Sequence, residues 1–206
     1  MLHVLRSGAG PVPDTVMRAM FAARKQVFVD LLKWDVPVLD GSYEVDQFDD
    51  PHAHYIILAD SDGGHLGSAR LLPTTRPHIL DSLYPELCED APPCGADIFE
   101  VTRFCLDRGL TARERRDVRD TLVSALADHA LANGISGYSA IAEMGWLQQI
   151  LAFGWRCRPL GLPVLIEGKL LGALAIDIDP DTPRRLAAAG IAPLSELVNG
   201  ERRVAA

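Results

Sequence analysis

The sequence predicts a single mixed α/β domain, a mixed sheet with helices on both faces, and three observations predict it. The chain has 206 residues, enough for one sizeable core and short of the length at which cores split. Hydrophobic residues make up 48% and charged residues 23% of the chain, which excludes disordered and collagen-like classes. Apolar periodicity alternates along the chain between helical steps and strand alternation, in a β-α-β order followed by more strands.

Residues 14–33 read as an amphipathic helix with Asp14 as N-cap, because Met17, Met20, Phe21, Phe28 and Leu31 recur at three- and four-residue steps. The following run, Trp34 to Pro51, mixes Pro37 and Gly41 with Asp35, Asp40, Glu44, Asp46, Asp49 and Asp50, and reads as an ordered acidic loop. Residues 14–51 together form one N-terminal region. Next, 54–59 reads as a strand, Ser61-Asp62-Gly63-Gly64 as a hairpin turn, and 66–72 as the returning strand.

A proline-rich connection over 73–97 is expected to hold one short helix near Ile79 to Tyr84, and 98–106 is the next strand. Thr111 and Glu114 match a capping box opening a helix that carries Val118, Leu122, Ala125, Leu126 and His129 and stops at Asn133-Gly134. Beyond it, 135–142 reads as a strand and 143–153 as a short helix. Strands over 164–166 and 170–178 and a capped helix over 182–189 complete the pattern, and a tail from about 191 is expected to be frayed.

The formal net charge of −8 argues against nonspecific nucleic-acid binding, which depends on cations neutralising phosphates. No apolar run reaches the ~18 residues of a membrane span, and the N-terminus lacks the pattern of an export signal, so a cytoplasmic protein is expected. Cys88, Cys94, Cys105 and Cys157 form no C-x-x-C pair, so they read as reduced thiols and no metal site is expected. One stretch runs against the acidic balance: Arg103, Arg108, Arg113, Arg115, Arg116 and Arg119 face only Asp107, Glu114 and Asp117 between them.

Two arginines stand on faces that should be apolar. Arg24 lies four after Met20 and four before Phe28, and Arg70 shares a strand face with Leu66, Ser68 and Leu72. Burying such a group alone costs several kcal/mol, so each must be paired, and the acidic loop supplies partners. Glu100 and Arg103, three apart in a strand, point to opposite faces unless a β-bulge between them brings both to one. Together these features imply an ion-paired cleft beside a bulged, splayed strand.

The pattern Arg24-x-x-x-Phe28 with Trp34, then Glu44-x-Asp46-x-x-Asp49, then Gly67-Ser68-Ala69-Arg70-Leu71-Leu72-Pro73-Thr74-Thr75, then Phe99-Glu100-Val101-Thr102-Arg103-Phe104, resembles the LuxI-type acyl-homoserine lactone synthases, densely over about 20–106 and loosely elsewhere. The resemblance implies a fold related to the GNAT acetyltransferases: a mainly antiparallel sheet with a bulged central strand splayed from its neighbour. It implies transfer of an acyl group from an acyl-carrier-protein or CoA thioester to the amine of S-adenosylmethionine, then lactonisation with release of 5′-methylthioadenosine. Both small molecules are substrates, and no prosthetic group is implied.

By that resemblance Arg24, Phe28, Trp34, Asp46, Asp49, Arg70, Glu100 and Arg103 carry the site. Phe28 and Trp34 suit the adenosyl and sulfonium region, Phe28 serving equally as core packing. Asp46 and Asp49 are expected to pair with Arg24 and one of Arg70 or Arg103, either closing residues 14–51 over the substrate or forming a purely structural ion-pair network, and Arg70 or Arg103 to bind the substrate carboxylate through a bidentate fork. Glu100 is the expected base, acting directly or through a water.

The acetyltransferase pyrophosphate turn is missing, its place taken by Arg108-Gly109-Leu110-Thr111-Ala112-Arg113. Arg108, Arg113 and Arg116 fit the phosphopantetheine and acidic surface of a carrier protein, or are an ordinary solvated face. By analogy the acyl chain lies near Ser139, Ala140, Ile141, Met144, Trp146 and Leu147. The lack of a threonine near Ala140 favours an unsubstituted chain. Two alternatives keep the fold: an N-acyltransferase on another amine without lactonisation, and a non-catalytic ligand sensor.

Overall fold

The computed structural model describes residues 1–5 and 12–194, so most of the tail expected to fray lies outside the described residues. Contacts gather the chain into two units, Met1–Leu72 with Arg103–Leu122, and Pro73–Thr102 with Val123–Ala206.

In the first unit, strands β1 (Leu2–Leu5), β4 (His54–Ala59) and β5 (His65–Pro73) pair antiparallel, with β4 between the other two. The register of β4 on β5 shifts between Leu58 and Ala59. Helix α1 (Asp14–Arg24) is shorter than its apolar periodicity predicts; Pro13 holds the cap position, and Asp14 is the first helical residue. Its buried stripe is Val16, Met20, Ala23 and Arg24. From Lys25 to Leu31 the chain continues as a π-helix, in which Leu32 N–H donates to the Val27 carbonyl five residues back. Lys25 and Asp30, five apart, form an ion pair that fits the wider turn. The change of pitch turns Phe28 inward and leaves Leu31, expected in the stripe, half exposed.

The acidic segment is more regular than a loop. Strands β2 (Val38–Leu39) and β3 (Tyr43–Glu44) form a two-stranded ribbon whose connection places Asp40 and Gly41 at positive φ. Helix α3 (Ala112–Asn133) begins in this unit, and Gly67 on β5 lies so close to it that a Cβ there would sit 2.7 Å from Val118 Cγ1. Strand β6 (Ile98–Leu106) ends here, with Cys105 buried against Ala23 and Phe28.

In the second unit β6 pairs parallel with β7 (Gly137–Glu143), from Ile98 opposite Gly137 to Val101 opposite Ala140. β7 then pairs antiparallel with β10 (Lys169–Asp177), which also carries β8 (Arg156–Pro159) and β9 (Val164–Ile166), both antiparallel. β8 escaped the sequence reading because two exposed arginines and a proline carry no alternation, as suits a strand with a single partner. Helices cover both faces. The Tyr138 hydroxyl donates to the Leu126 carbonyl of α3, while Ile141 and Ala173 face the other way, onto Leu80 of α2 (Ile79–Ser82) and Leu87 of a following 3₁₀ turn. Helices α4 (Met144–Leu151) and α5 (Thr182–Ala188) complete the unit.

Candidate active site

Three elements of the first unit each deliver one arginine. Arg24 is the last residue of α1 and Arg70 lies on β5, both 1% exposed. Arg103 lies on β6 with φ of 50°, a left-handed value inside a strand. This break interrupts the alternation where a bulge was expected.

The acids come from the ribbon and the turn after it. Glu44 ends β3 fully buried. Asp46 and Asp49 face each other across a turn: Asp49 N–H donates to the Asp46 carbonyl (3.0 Å), Asp46 N–H to Asp49 Oδ2 (2.8 Å) and Phe48 N–H to Asp46 Oδ1 (2.8 Å). Such local side-chain bonds are why aspartates favour turns.

Arginines and acids then interlock. Arg24 donates through Nε to Glu44 (2.5 Å) and through Nη1 and Nη2 to the two oxygens of Asp49 (2.8 and 2.9 Å). Arg70 forks onto Asp46 (2.6 and 3.0 Å) and lies 2.8 Å from Asp49 Oδ1. Arg103 donates to Glu44 Oε1 through Nε and Nη2 (3.1 and 2.9 Å) and to Asp46 Oδ2 (2.7 Å). Three guanidinium groups meet three carboxylates, so the cluster is neutral, which makes its burial tolerable. Burial by itself raises the Asp49 carboxyl, but hydrogen bonds and charge from Arg24, then the charge of Arg70, hold it well below the ordinary range. Burial lowers Arg24, yet Asp49 and Glu44 raise it above its ordinary value.

Beside this cluster Phe28 and Trp34 stack, ring centres 4.7 Å apart and planes 24° apart. The left-handed turn at Lys33 and the Trp34 N–H bond to the Phe28 carbonyl fold the indole back onto the phenyl ring. The Arg103 guanidinium lies 5.5 and 5.7 Å from the two ring centres. An aromatic face there accepts a cation, worth ~0.5–2 kcal/mol.

Glu100 belongs to the second unit and is fully buried. Its Oε2 accepts the Ile79 N–H (2.8 Å) and the Leu80 N–H (3.3 Å) at the start of α2. Asp81 caps that turn by accepting the His78 N–H (2.8 Å). Glu100 thus anchors the start of α2, while Arg103 donates to Glu44 and Asp46 of the first unit.

The residues expected around an acyl chain do not share one surface. Strand alternation sets Ala140 on the Tyr138 face toward α3, while Ile141 packs with Leu80 and Leu87. Ser139, in register with Glu100, is fully buried and its hydroxyl makes no hydrogen bond. Leu147 lies against Gly172 near Met144, and Trp146 meets Phe153 edge-on.

At the start of α3 the capping box forms as expected, with Thr111 N–H donating to Glu114 (2.8 Å), so a carboxylate already occupies that end. Arg108, Arg113 and Arg116 are exposed, Arg108 touching the Gln26 carbonyl at 3.5 Å. Among the described residues no group of three or more His, Cys, Asp or Glu side chains is arranged to hold a metal ion, and no helix is long and apolar enough to cross a membrane.

The structure therefore brings together Arg24, Phe28, Trp34, Asp46, Asp49, Arg70 and Arg103. Sequence reasoning left Glu44 out of the site, although it stands in the acidic run and in the family pattern; only the ribbon shows that it bridges two arginines.

Comparison with known proteins identifies relatives over most of the chain. The autoinducer synthase profile matches residues 12–186. An acyl-homoserine-lactone synthase of Ralstonia nicotianae is 33% identical over 181 residues, covering 85% of this chain and 88% of the relative. The solved structure of a CoA-dependent acyl-homoserine lactone synthase, BjaI, with SAM and isopentyl-CoA superposes with a TM-score of 0.83 at 28% identity, over 94% of this chain and 91% of that one. A putative N-acetyltransferase from Lactobacillus plantarum shares the fold at 14% identity and a TM-score of 0.58, over 86% and 99%. By its sequence, its fold and its matched residues, the chain belongs to the autoinducer synthase family.

Proposed function

We propose that the protein acylates the amine of S-adenosylmethionine and closes a homoserine lactone. The observation carrying this reading is the neutral arginine–carboxylate cluster beside the stacked Phe28–Trp34 pair, in a chain of this family. The substrate has a sulfonium, an amine and a carboxylate, and the first unit offers an aromatic face, acids and arginines to match.

The amine nitrogen attacks the thioester carbonyl and expels the thiol. A free α-amine titrates near ~8, so one base suffices, and Glu100 is the residue assigned to it. The substrate carboxylate then attacks the carbon next to the sulfonium. The carbon–sulfur bond breaks with its electron pair going to sulfur, releasing neutral 5′-methylthioadenosine and the lactone. Holding carboxylate and carbon in line is the main demand of that step, and of the two candidate forks Arg103 is the better placed, since Arg70 is 1% exposed with both Nη groups on Asp46.

The donor is an acyl thioester on CoA or on a carrier protein, with exposed Arg108, Arg113 and Arg116 facing its phosphate and acidic groups. The test is incubation with S-adenosylmethionine and matched panels of acyl-CoA and acyl-carrier thioesters, read by mass spectrometry. Lactone together with methylthioadenosine is expected. An acylated amine without methylthioadenosine would make the protein a plain N-acyltransferase, and neither product would leave a ligand sensor.

A further inference from the structure

We propose that Tyr55 is a positioning residue for S-adenosylmethionine, its hydroxyl fixing the Asp49 carboxylate and, through it, the acidic turn that aligns Arg70 and Arg103. The inference rests on the reading that the first-unit cluster holds that substrate.

Tyr55 lies on β4, 4% exposed, opposite Arg70 on β5. Its hydroxyl donates to Asp49 Oδ1 at 2.7 Å. The same oxygen takes Arg24 Nη1 at 2.8 Å and lies 2.8 Å from Arg70 Nη1, while Oδ2 takes Arg24 Nη2 (2.9 Å) and the Asp46 N–H (2.8 Å). A carboxylate offers about four lone-pair directions, so Asp49 is saturated and its rotation is set by where these donors stand.

Two of the donors are guanidinium groups, the same groups that engage other acids. Tyr55 differs from both. It is uncharged and does not compete with the ion pairs, and it projects from a strand paired on both sides, by β1 and β5. Its ring is held by the edge of Phe21, 6.1 Å away, and Phe21 lies under Arg24 at 5.1 Å. Burial and the neighbouring Asp49 raise its phenol well above its ordinary range, so it remains a donor at every working pH.

Without the hydroxyl, the four remaining donors set the Asp49 carboxylate alone, and it shifts toward the arginines at the expense of its Oδ2 bond to the Asp46 N–H. Asp46 is the shared acceptor of Arg70 and Arg103, so a change at Tyr55 reaches both cations without touching either.

The test is Tyr55→Phe in the full chain, read by steady-state release of methylthioadenosine. The expected result is a rise of about five- to ten-fold in KM for S-adenosylmethionine, with kcat within about two-fold and the thioester KM unchanged, as a part of the one lost charge-assisted hydrogen bond to Asp49 reaches the substrate through the turn. Ile57→Val, a buried change on the same strand, is the stability control and is expected to leave that KM unchanged. An unaltered KM in Tyr55→Phe, or an equal rise in Ile57→Val, overturns the proposal.

Asp49→Asn in the same assay separates the two levels. If it leaves S-adenosylmethionine affinity intact, the assignment of the cluster fails. If it weakens affinity and Tyr55→Phe does not, only the role of Tyr55 fails. Should Tyr55→Phe not fold, 3-fluorotyrosine at position 55 keeps the hydroxyl and makes it a stronger donor; a shifted KM supports the role and an unchanged one overturns it.

Discussion

The Arg103 guanidinium stands 5.7 Å from the centre of the Trp34 ring. It is held there by Glu44 and Asp46 rather than by the rings alone. Arg103→Lys keeps the charge but loses the planar fork that spans two acids and stacks on the indole. We expect KM for S-adenosylmethionine to rise about ten-fold or more, the value of one lost charged hydrogen bond, with the thioester KM little changed, in a methylthioadenosine-release assay.

Glu44→Gln leaves two buried guanidinium groups sharing a neutral amide. Breaking a buried pair from one side typically costs about 3–5 kcal/mol, so urea unfolding should show a loss of about 3 kcal/mol. Asp35→Asn, on an exposed residue of the same segment, should shift stability by less than ~0.5 kcal/mol.

These two residues show where the sequence was readable. Arg24 and Arg70 betrayed themselves as charges on apolar faces, and burial without partners is too costly to ignore, so the existence of an ion cluster followed from spacing. Its connectivity did not. Glu44 reaches Arg24 and Arg103 only because a two-residue ribbon, too short to show alternation, turns it inward. The π-helix was likewise hidden, since Phe28 and Leu31 sit at helical spacing and nothing local marks the change of pitch. β4, β6 and the capped start of α3 were plain because alternation and capping chemistry act within a few residues. The surroundings of β7 stayed opaque, since a strand buried on both sides shows little alternation to say what each face meets.

Glu100→Gln should preserve substrate binding and remove turnover. The amide oxygen can still accept the Ile79 and Leu80 N–H groups, so α2 keeps its anchor. Loss of a general base costs about 10²–10⁴-fold, so kcat should fall within that range while calorimetric affinity for S-adenosylmethionine stays within about three-fold. Equal loss of binding and turnover would instead make Glu100 structural.

Stability should fall with acid before the ion cluster is touched. His65 is buried with Nε2 2.9 Å from Ser68 Oγ, and burial lowers its imidazole from 6.5 to about 4, the nearby Asp107 partly opposing. Between those values the unfolded chain binds the proton and the folded one does not, so stability declines as pH drops from about 6.5 to 4, by up to about 3 kcal/mol. Asp49 works in the other window: with its folded value depressed, its contribution is complete above the ordinary carboxylate range and is lost only as pH falls below it. Thermal melts across pH 4–7 on the protein and on His65→Gln should show the first slope vanish in the variant.

The left-handed backbone at Arg103 has a further consequence for anyone altering this strand. A residue with a Cβ in that conformation carries about 1–2 kcal/mol of local strain, which glycine escapes. Arg103→Gly therefore relaxes the chain while emptying the aromatic face, and Arg103→Ala empties it while keeping the strain. Comparing the two isolates the contribution of the backbone from that of the guanidinium, which Glu44 and Asp46 hold in place.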